Sequence, residues 1–378
     1  MRNPERIAES GSRVASVLRK VNRRNLLMGA AGATAIGAAG AVAAGVGVAL
    51  AARAAWNSMN RMDLRGKVVL ITGASRGLGF ALAQEFARHG CKLIINARKQ
   101  DALDIAAEEL RRMGASVLAI AADVGNRDEV ERMVQRATAE FDRIDILVNN
   151  AGVIQVGPLQ TQTVEDFRES MDVMFWGVVY PTLAVVPQMI SRREGRIANI
   201  TSIGGKIAVP HLVPYGCAKF AAVGFSEGIT AELAKDGVKV TTVVPGLMRT
   251  GSHVNAYFKG DSQSEYTWFS LGATSPVSAI GARRAARSIV NAIRRGQAET
   301  ILSLPAMIAA RVHGLMPATT VNMLGVVNRF MPGTNAQSKE RHRGKESETA
   351  VSRSPLTMLG RRAGKALNQY PERRDQPA

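Results

Sequence analysis

From Leu64 to about Ile301, short apolar runs alternate with longer amphipathic segments. The runs at 67–72, 91–97, 116–121, 144–149, 195–201, 238–244 and 299–304 are rich in Val, Ile and Leu and read as strands buried on both faces. Between them, segments such as 100–113 and 127–141 carry apolar residues at helical spacing and charges on the opposite face. Strands separated by helices predict an α/β fold, a doubly wound parallel sheet with helices on both sides. The stretch 64–301 has the length of one such domain.

The flanks follow other patterns. Residues 1–25 are polar and basic, and residues 26–52 contain no charge. The uncharged run opens Leu26-Leu27-Met28, continues in Gly, Ala and Val, and is long enough to cross a bilayer as a helix. An uncleaved membrane anchor is the leading expectation. A twin-arginine export signal is the alternative, because Arg23-Arg24-Asn25-Leu26-Leu27 resembles that motif. Cleavage after Ala49-Leu50-Ala51 or Ala52-Arg53-Ala54 would then release a periplasmic or exported protein. A soluble Ala-rich helix is the third reading. Residues 53–63 read as a linker. Beyond the domain, 302–332 form an apolar helical extension with prolines at 305, 317 and 332, suited to packing on the domain, lining an entrance or lying on a membrane. Residues 333–378 are polar and basic and read as a disordered tail, with Thr357–Leu367 a transient helix. No internal repeat is visible.

Charge sharpens this picture. The net charge is +18, and the ends hold over half of it: seven Lys/Arg against two acids in 1–25, ten against five in 334–378. Neither end interleaves aromatics with its cations, and no nucleic-acid motif is present, so the excess points to an anionic membrane surface rather than nucleic acid. Two cysteines, Cys91 and Cys217, make neither a disulfide framework nor a metal cluster, and both are expected to pack as small apolar side chains. No metal site is expected.

The chemistry gathers at predicted strand ends. The first strand runs into Thr72-Gly73-Ala74-Ser75-Arg76-Gly77-Leu78-Gly79 and then a helix. Such a turn brings backbone N–H groups and a helix dipole up to a pyrophosphate, or merely joins strand to helix. Asp123-Val124 ends another strand, where the Asp is placed to accept a bond from an adenine amino group. Asn149-Asn150-Ala151-Gly152 follows the 144–149 run, its small and amide residues letting backbone approach a cofactor. Ser202 follows the 195–201 run, 13 residues before Tyr215, and Tyr215-x-x-x-Lys219 puts phenol and amine on one helix face. Pro245-Gly246 ends the 238–244 run, with Thr250 close behind. An ammonium near a phenol favours the phenolate and fits the phenol for proton exchange with an alcohol or carbonyl oxygen. A serine hydroxyl beside them either steadies that oxygen or caps the strand end.

In this order and at these intervals, the motifs resemble the short-chain dehydrogenase/reductase family over about Leu64–Ile301. The resemblance implies a single Rossmann domain with a seven-stranded parallel sheet. It implies Gly73, Ser75, Arg76, Gly77, Leu78 and Gly79 around the pyrophosphate, Asp123 and Val124 at the adenine, and Asn150, Ala151 and Gly152 beside the cofactor ribose. Tyr215 would be the general acid/base, and Lys219 would bind the nicotinamide ribose and lower the tyrosine pKa. Ser202 would orient the substrate oxygen, and Pro245, Gly246 and Thr250 would flank the nicotinamide. Homo-oligomers built through long helices, including the one bearing Tyr215, are also implied.

One position departs from the family pattern. Where Val-Asn-x-x-Gly is common, this chain reads Val173-Met174-Phe175-Trp176-Gly177. A thioether cannot supply the amide donor of that asparagine. Two expectations follow: a working enzyme in which another group serves, or a catalytically weakened dinucleotide-binding protein associated with a membrane. Cofactor choice is read from Ala97-Arg98 at the end of the second predicted strand. An acidic residue there would hold the ribose hydroxyls of NAD, whereas Ala97 leaves room and Arg98, with Arg76 nearby, suits the 2′-phosphate of NADP. The region 247–279 contains Tyr257, Phe258, Tyr266, Trp268 and Phe269, which either line an apolar substrate site or pack as the core of a lid. No role is assigned to His211 or His253. The reading is thus an NADP(H)-dependent oxidoreductase that interconverts an apolar alcohol and a ketone or aldehyde. The cations before residue 26 would keep that end in the cytoplasm and send a spanning protein's domain to the far side, away from the NADPH pool.

Overall fold

The computed structural model describes residues 61–276, 278–333 and 338–370. The expectations for the basic segment 1–25 and the uncharged run 26–52 lie outside the described residues.

All seven expected strands are present and parallel: β1 (Val68–Ile71), β2 (Lys92–Ala97), β3 (Val117–Ala121), β4 (Ile146–Asn149), β5 (Gly195–Ile200), β6 (Val238–Val244) and β7 (Glu299–Ile301). Their order is β7-β6-β5-β4-β1-β2-β3, with Ile71 registered against Ile95 on one side and Val148 on the other. Two strands are shorter than their apolar runs for polar reasons. Asp145 precedes β4 because its buried carboxylate accepts from the Val68 N–H at 2.9 Å. Ser303 ends β7 because its hydroxyl accepts from the Ala306 N–H and starts a helix.

The helices are α1 (Gly77–Arg88), α2 (Gln100–Arg112), α3 (Arg127–Phe141), α4 (Val164–Met171), α5 (Gly177–Arg192), α6 (Val213–Leu233), α7 (Ser262–Thr274), α8 (Ala282–Arg295), α9 (Leu304–Leu315), α10 (Pro317–Asn328) and α11 (Met358–Ala366). Successive strand residues feed opposite layers. Val69 and Ile71 pack with Phe80, Leu103 and Ile289 of α1, α2 and α8. Val68 and Leu70 pack with Val130 and Met133 of α3 and Val185 and Met189 of α5. In α8 the buried Ala282, Ala285, Ala286, Ile289 and Ile293 recur at three- and four-residue spacing, the stripe that seats a helix on a sheet. The run Val164–Arg192 is long and apolar enough by composition to cross a membrane, yet Val178, Val185 and Met189 within it are buried in this protein.

Strand order reverses between β4 and β2 around β1, which opens a crevice at the carboxyl ends of the strands. Two further expectations, for Cys217 and for the C-terminal tail, meet corrections. Cys91 is buried, donating to the Leu64 carbonyl, but Cys217 is exposed. The extension after β7 forms the α9–α10 hairpin, in which only Ala306 is buried. The segment expected to be disordered is ordered over 338–370: strand His342–Arg343 pairs with Tyr257–Phe258, and α11 packs on α7. Composition misled here because few large apolar residues hold this segment. Close glycine contacts and hydrogen bonds do so instead.

Candidate functional site

The crevice is assembled from the carboxyl ends of β1, β4, β5 and β6. After β1, Gly73 takes φ +63° and Gly77 φ +61°, and a Cβ on Gly79 would lie 2.2 Å from the Gly73 carbonyl oxygen. The turn therefore closes only with glycine at these positions. Ser75 and Leu78 are buried within it. Arg76, the residue before α1, provides no side-chain cap; the Gly77 N–H donates to the Leu367 carbonyl at 2.8 Å, and the N–H groups that follow it face the helix start without a Ser/Thr/Asp cap. That is the donor set an anionic group at a helix start needs.

Asn150 holds the glycine turn. Its Nδ2 donates to the Thr72 and Gly73 carbonyls at 2.9 and 3.1 Å, and its backbone N–H to the Thr72 hydroxyl at 2.9 Å. Its amide donor thus fastens the end of β4 to the glycine turn. The Ala151 N–H donates to the same hydroxyl, and Gly152 lies against Met174. Asp123 makes a turn, its Oδ1 accepting from the Gly125 N–H at 2.9 Å, with Val124 buried behind it. At the end of β2, Ala97 is partly buried and Arg98 is exposed and forms no ion pair among the described residues. Arg76 is exposed at the surface and donates to Asn255 Oδ1 at 3.2 Å; partial desolvation, with Arg343 and Arg98 nearby, lowers its pKa.

Ser202, Tyr215 and Lys219 are brought together. Ser202 leaves β5 in extended conformation, and its Oγ accepts from the Gly204 N–H at 3.0 Å. It is both a cap and a neighbour of the Tyr215 phenol. Burial raises the phenol pKa, and the bond from Ser202 pulls it back only in part. The lowering expected from Lys219 does not prevail. The Lys219 ammonium is itself buried, donates to the Ile200 carbonyl at 2.8 Å, and has its pKa lowered to about 8 by desolvation. It forms no ion pair among the described residues, which leaves ammonium donors for the hydroxyls of a sugar. Gly205 lets the loop press on α6, since a Cβ there would lie 2.6 Å from the Lys219 carbonyl oxygen. After β6, the Pro245 carbonyl accepts from the Ile203 N–H at 2.8 Å, Gly246 abuts Ser303, and Thr250 is buried. The helix start without a side-chain cap, the buried ammonium with no ion pair among the described residues and the glycine turn fit a nicotinamide dinucleotide.

Met174 sits in a π-helical turn, Asp172–Trp176, between α4 and α5. It is fully buried, in one apolar cluster with Val153 and Ala218, against which Tyr215 and Tyr257 pack. Among the aromatics of 247–279, Phe258, Tyr266 and Phe269 form a lid core with Val156, and Trp268 packs against it. Only Tyr257 reaches the wall beside Tyr215. Three groups were not foreseen. His211 meets the buried Glu265 at 2.7 Å, whose other oxygen accepts from Trp268. Asp166 is held by Lys259 and Arg341. Leu367 and Gln369 bond to the glycine turn and the β6 loop. Lone His and acidic residues give no pairing signal in a sequence; the one hint for the last group was the helical pattern at Thr357–Leu367.

This architecture and site define a dinucleotide-binding oxidoreductase of the doubly wound class. Residues 67–258 match the short chain dehydrogenase family, and the chain belongs to it. It is 35% identical over 261 residues to the putative oxidoreductase SadH of Mycobacterium tuberculosis, covering 67% of this chain and 92% of that one. It is 36% identical over 250 residues to a dehydrogenase/reductase SDR family protein 7-like of Anopheles gambiae, covering 65% and 77%. A short chain dehydrogenase/reductase from Burkholderia phymatum, solved in complex with NAD, superposes with TM-score 0.61 at 25% identity over 67% of this chain and 94% of that one.

Proposed function

We propose that this protein is an NADP(H)-dependent oxidoreductase that interconverts an apolar alcohol and its ketone or aldehyde. The observation that carries the reading is the meeting of Ser202, Tyr215 and Lys219 at the crevice, with Lys219 buried and without an acidic partner among the described residues. Bound there, the nicotinamide supplies or accepts the hydride. Ser202 holds the substrate oxygen, Tyr215 exchanges its proton, and Lys219 holds ribose hydroxyls and favours developing negative charge on the phenol. Burial keeps the phenol protonated, the form that donates to a carbonyl oxygen. Val153, Met174, Ala218 and Tyr257 beside Tyr215 support an apolar substrate. A curated relative in Sesamum indicum, 34% identical over 242 residues, is named an 11-beta-hydroxysteroid dehydrogenase, which agrees with that class.

Arg98, exposed, without an ion-pair partner among the described residues and following Ala97, supports NADP(H) over NAD(H). The test is the ratio of NADPH- to NADH-supported turnover on a panel of apolar ketones and aldehydes. Wild type should favour NADPH and Arg98→Asp should reverse the ratio; an unchanged ratio in the variant defeats the cofactor assignment.

Membrane association is part of the proposal. Leu315 and Phe330 are more than four-fifths exposed, and Leu304, Ile308, Val321, Met323 and Val326 are more than half exposed. Together with the uncharged run 26–52, the α9–α10 hairpin supports a protein held at a bilayer, with α9 starting beside Gly246 at the crevice. Export through the twin-arginine-like segment is the alternative location. A C-terminal reporter active only outside the cytoplasm, read together with membrane retention, separates the two.

A second reading is favoured by Met174, buried beside Tyr215 in place of an amide. In it the protein binds dinucleotide but turns over weakly. Met174→Asn then raises turnover; a large loss in that variant shows that Met174 does not stand at the asparagine position.

A further inference from the structure

The C-terminal segment crosses the crevice and touches both of its sides. Its far end is anchored where Arg341 meets Asp166 of α4 at 3.3 Å and covers the Tyr257 ring of the lid at 4.9 Å. It then descends through contacts that admit no side chain. A Cβ on Gly344 would lie 2.1 Å from the His253 carbonyl oxygen, one on Gly360 2.1 Å from Thr274, and one on Gly251 2.4 Å from Gly364 Cα. At the bottom, the Leu367 carbonyl accepts from the Gly77 N–H at 2.8 Å. Gln369 Nε2 donates to the Thr250 carbonyl at 3.1 Å, and Asn255 Nδ2 donates to Gln369 Oε1 at 2.8 Å and to its backbone oxygen at 3.0 Å. Leu367 and Gln369 are both buried. Gly77 belongs to the turn after β1 and Thr250 to the loop after β6, so residues 367–369 link the glycine turn to the loop on the other side of the crevice.

We propose that residues 364–370 are the outer wall of the dinucleotide site, a strap that retains the bound cofactor through Gln369. The inference rests on the reading of the glycine turn as the dinucleotide site. Gln369 is a positioning residue: it fastens the strap to Thr250 and Asn255, and the strap blocks release. Glycine at 77, 251 and 364 is what lets two backbones and a buried amide meet at that point.

The experiment follows dissociation of NADPH or NADH, whichever the full-length wild type binds more tightly, by stopped-flow chase of nicotinamide fluorescence. Gln369→Ala removes the side-chain bonds to Thr250 and Asn255, and dissociation should quicken about tenfold with little change in melting temperature. Gln369→Glu keeps the shape but loses the donor and sets a negative charge near the phosphates. Its dissociation should be faster still at low salt, and the excess over Gln369→Ala should shrink as salt is raised. A salt-dependent difference is not expected of a residue that merely stabilises the fold. A dissociation rate within twofold of wild type in both variants overturns the proposal, as does tighter binding in Gln369→Ala, which would make the strap a plug. Wild type that binds neither cofactor defeats the underlying reading of the turn instead.

Discussion

The two segments that follow β7 invert what their compositions suggest. The α9–α10 hairpin is apolar, and apart from Ala306 its side chains are not buried. The stretch 338–370 is polar and basic, and it is bound to the lid, to α7 and to the glycine turn. Apolar content tells how much surface would gain from burial, not where a partner stands. The tail docks because Gly344, Gly360 and Gly364 allow backbone-distance contacts and because Arg341 and Gln369 find fixed polar partners. The hairpin has two apolar helices of low polarity all round, and among the described residues no second layer lies over them. A helix of that kind belongs against another surface.

The largest expected way to break this contrast is Gly251→Val. The residue has φ +72°, and the added side chain would start 2.4 Å from Gly364 Cα, so backbone strain and collision act together. We expect a loss of roughly 2–4 kcal/mol in urea unfolding, with proteolysis first within 338–370. A stable Gly251→Val protein with its tail still protected contradicts the docking described.

A pH experiment sharpens the contrast at smaller scale. Burial under the tail, with Arg361 nearby, lowers the His253 pKa to about 4. Between that value and the ordinary 6.5 the unfolded chain holds a proton that the folded protein does not. Stability therefore falls as pH falls through this window, by about 1.4 kcal/mol per unit at most. Urea midpoints at pH 6.5 and pH 5 should differ in wild type by more than in His253→Gln; equal slopes would show that His253 does not stay neutral beneath the tail.

The smallest expected effect concerns the hairpin. The double variant Leu315→Glu, Phe330→Glu changes side chains already 83% and 86% exposed. Thermal unfolding should shift by less than about 0.5 kcal/mol, while co-sedimentation with lipid vesicles should drop. A large loss of stability would place these side chains in packing within the protein and remove the support for a membrane-facing hairpin.

Much of the sheet was legible because β1 to β7 are continuous apolar runs separated by helical patterns, and the parallel order follows from that alternation. The glycine turn, Ser202, Tyr215 and Lys219 were legible because their spacing ties them to strand ends and one helix face. What was hidden depends on distances between remote residues. That Asn150 spends its amide on Thr72 and Gly73, that His211 meets Glu265, and that Gln369 returns to Thr250 are pairings across 77, 54 and 119 positions or similar separations. The direction of the Tyr215 shift was also hidden. A motif shows the lysine beside the phenol, but not that burial acts on both and outweighs their attraction.

The most direct test of the redox assignment is Tyr215→Phe, measured as turnover and nicotinamide-cofactor binding in the same preparation. The account predicts cofactor binding within a few-fold of wild type and a turnover lower by about 10²- to 10⁴-fold, the usual worth of a positioned acid/base. A variant that turns over apolar ketones at the wild-type rate would contradict it, because the proton would then travel by a route that does not use this phenol.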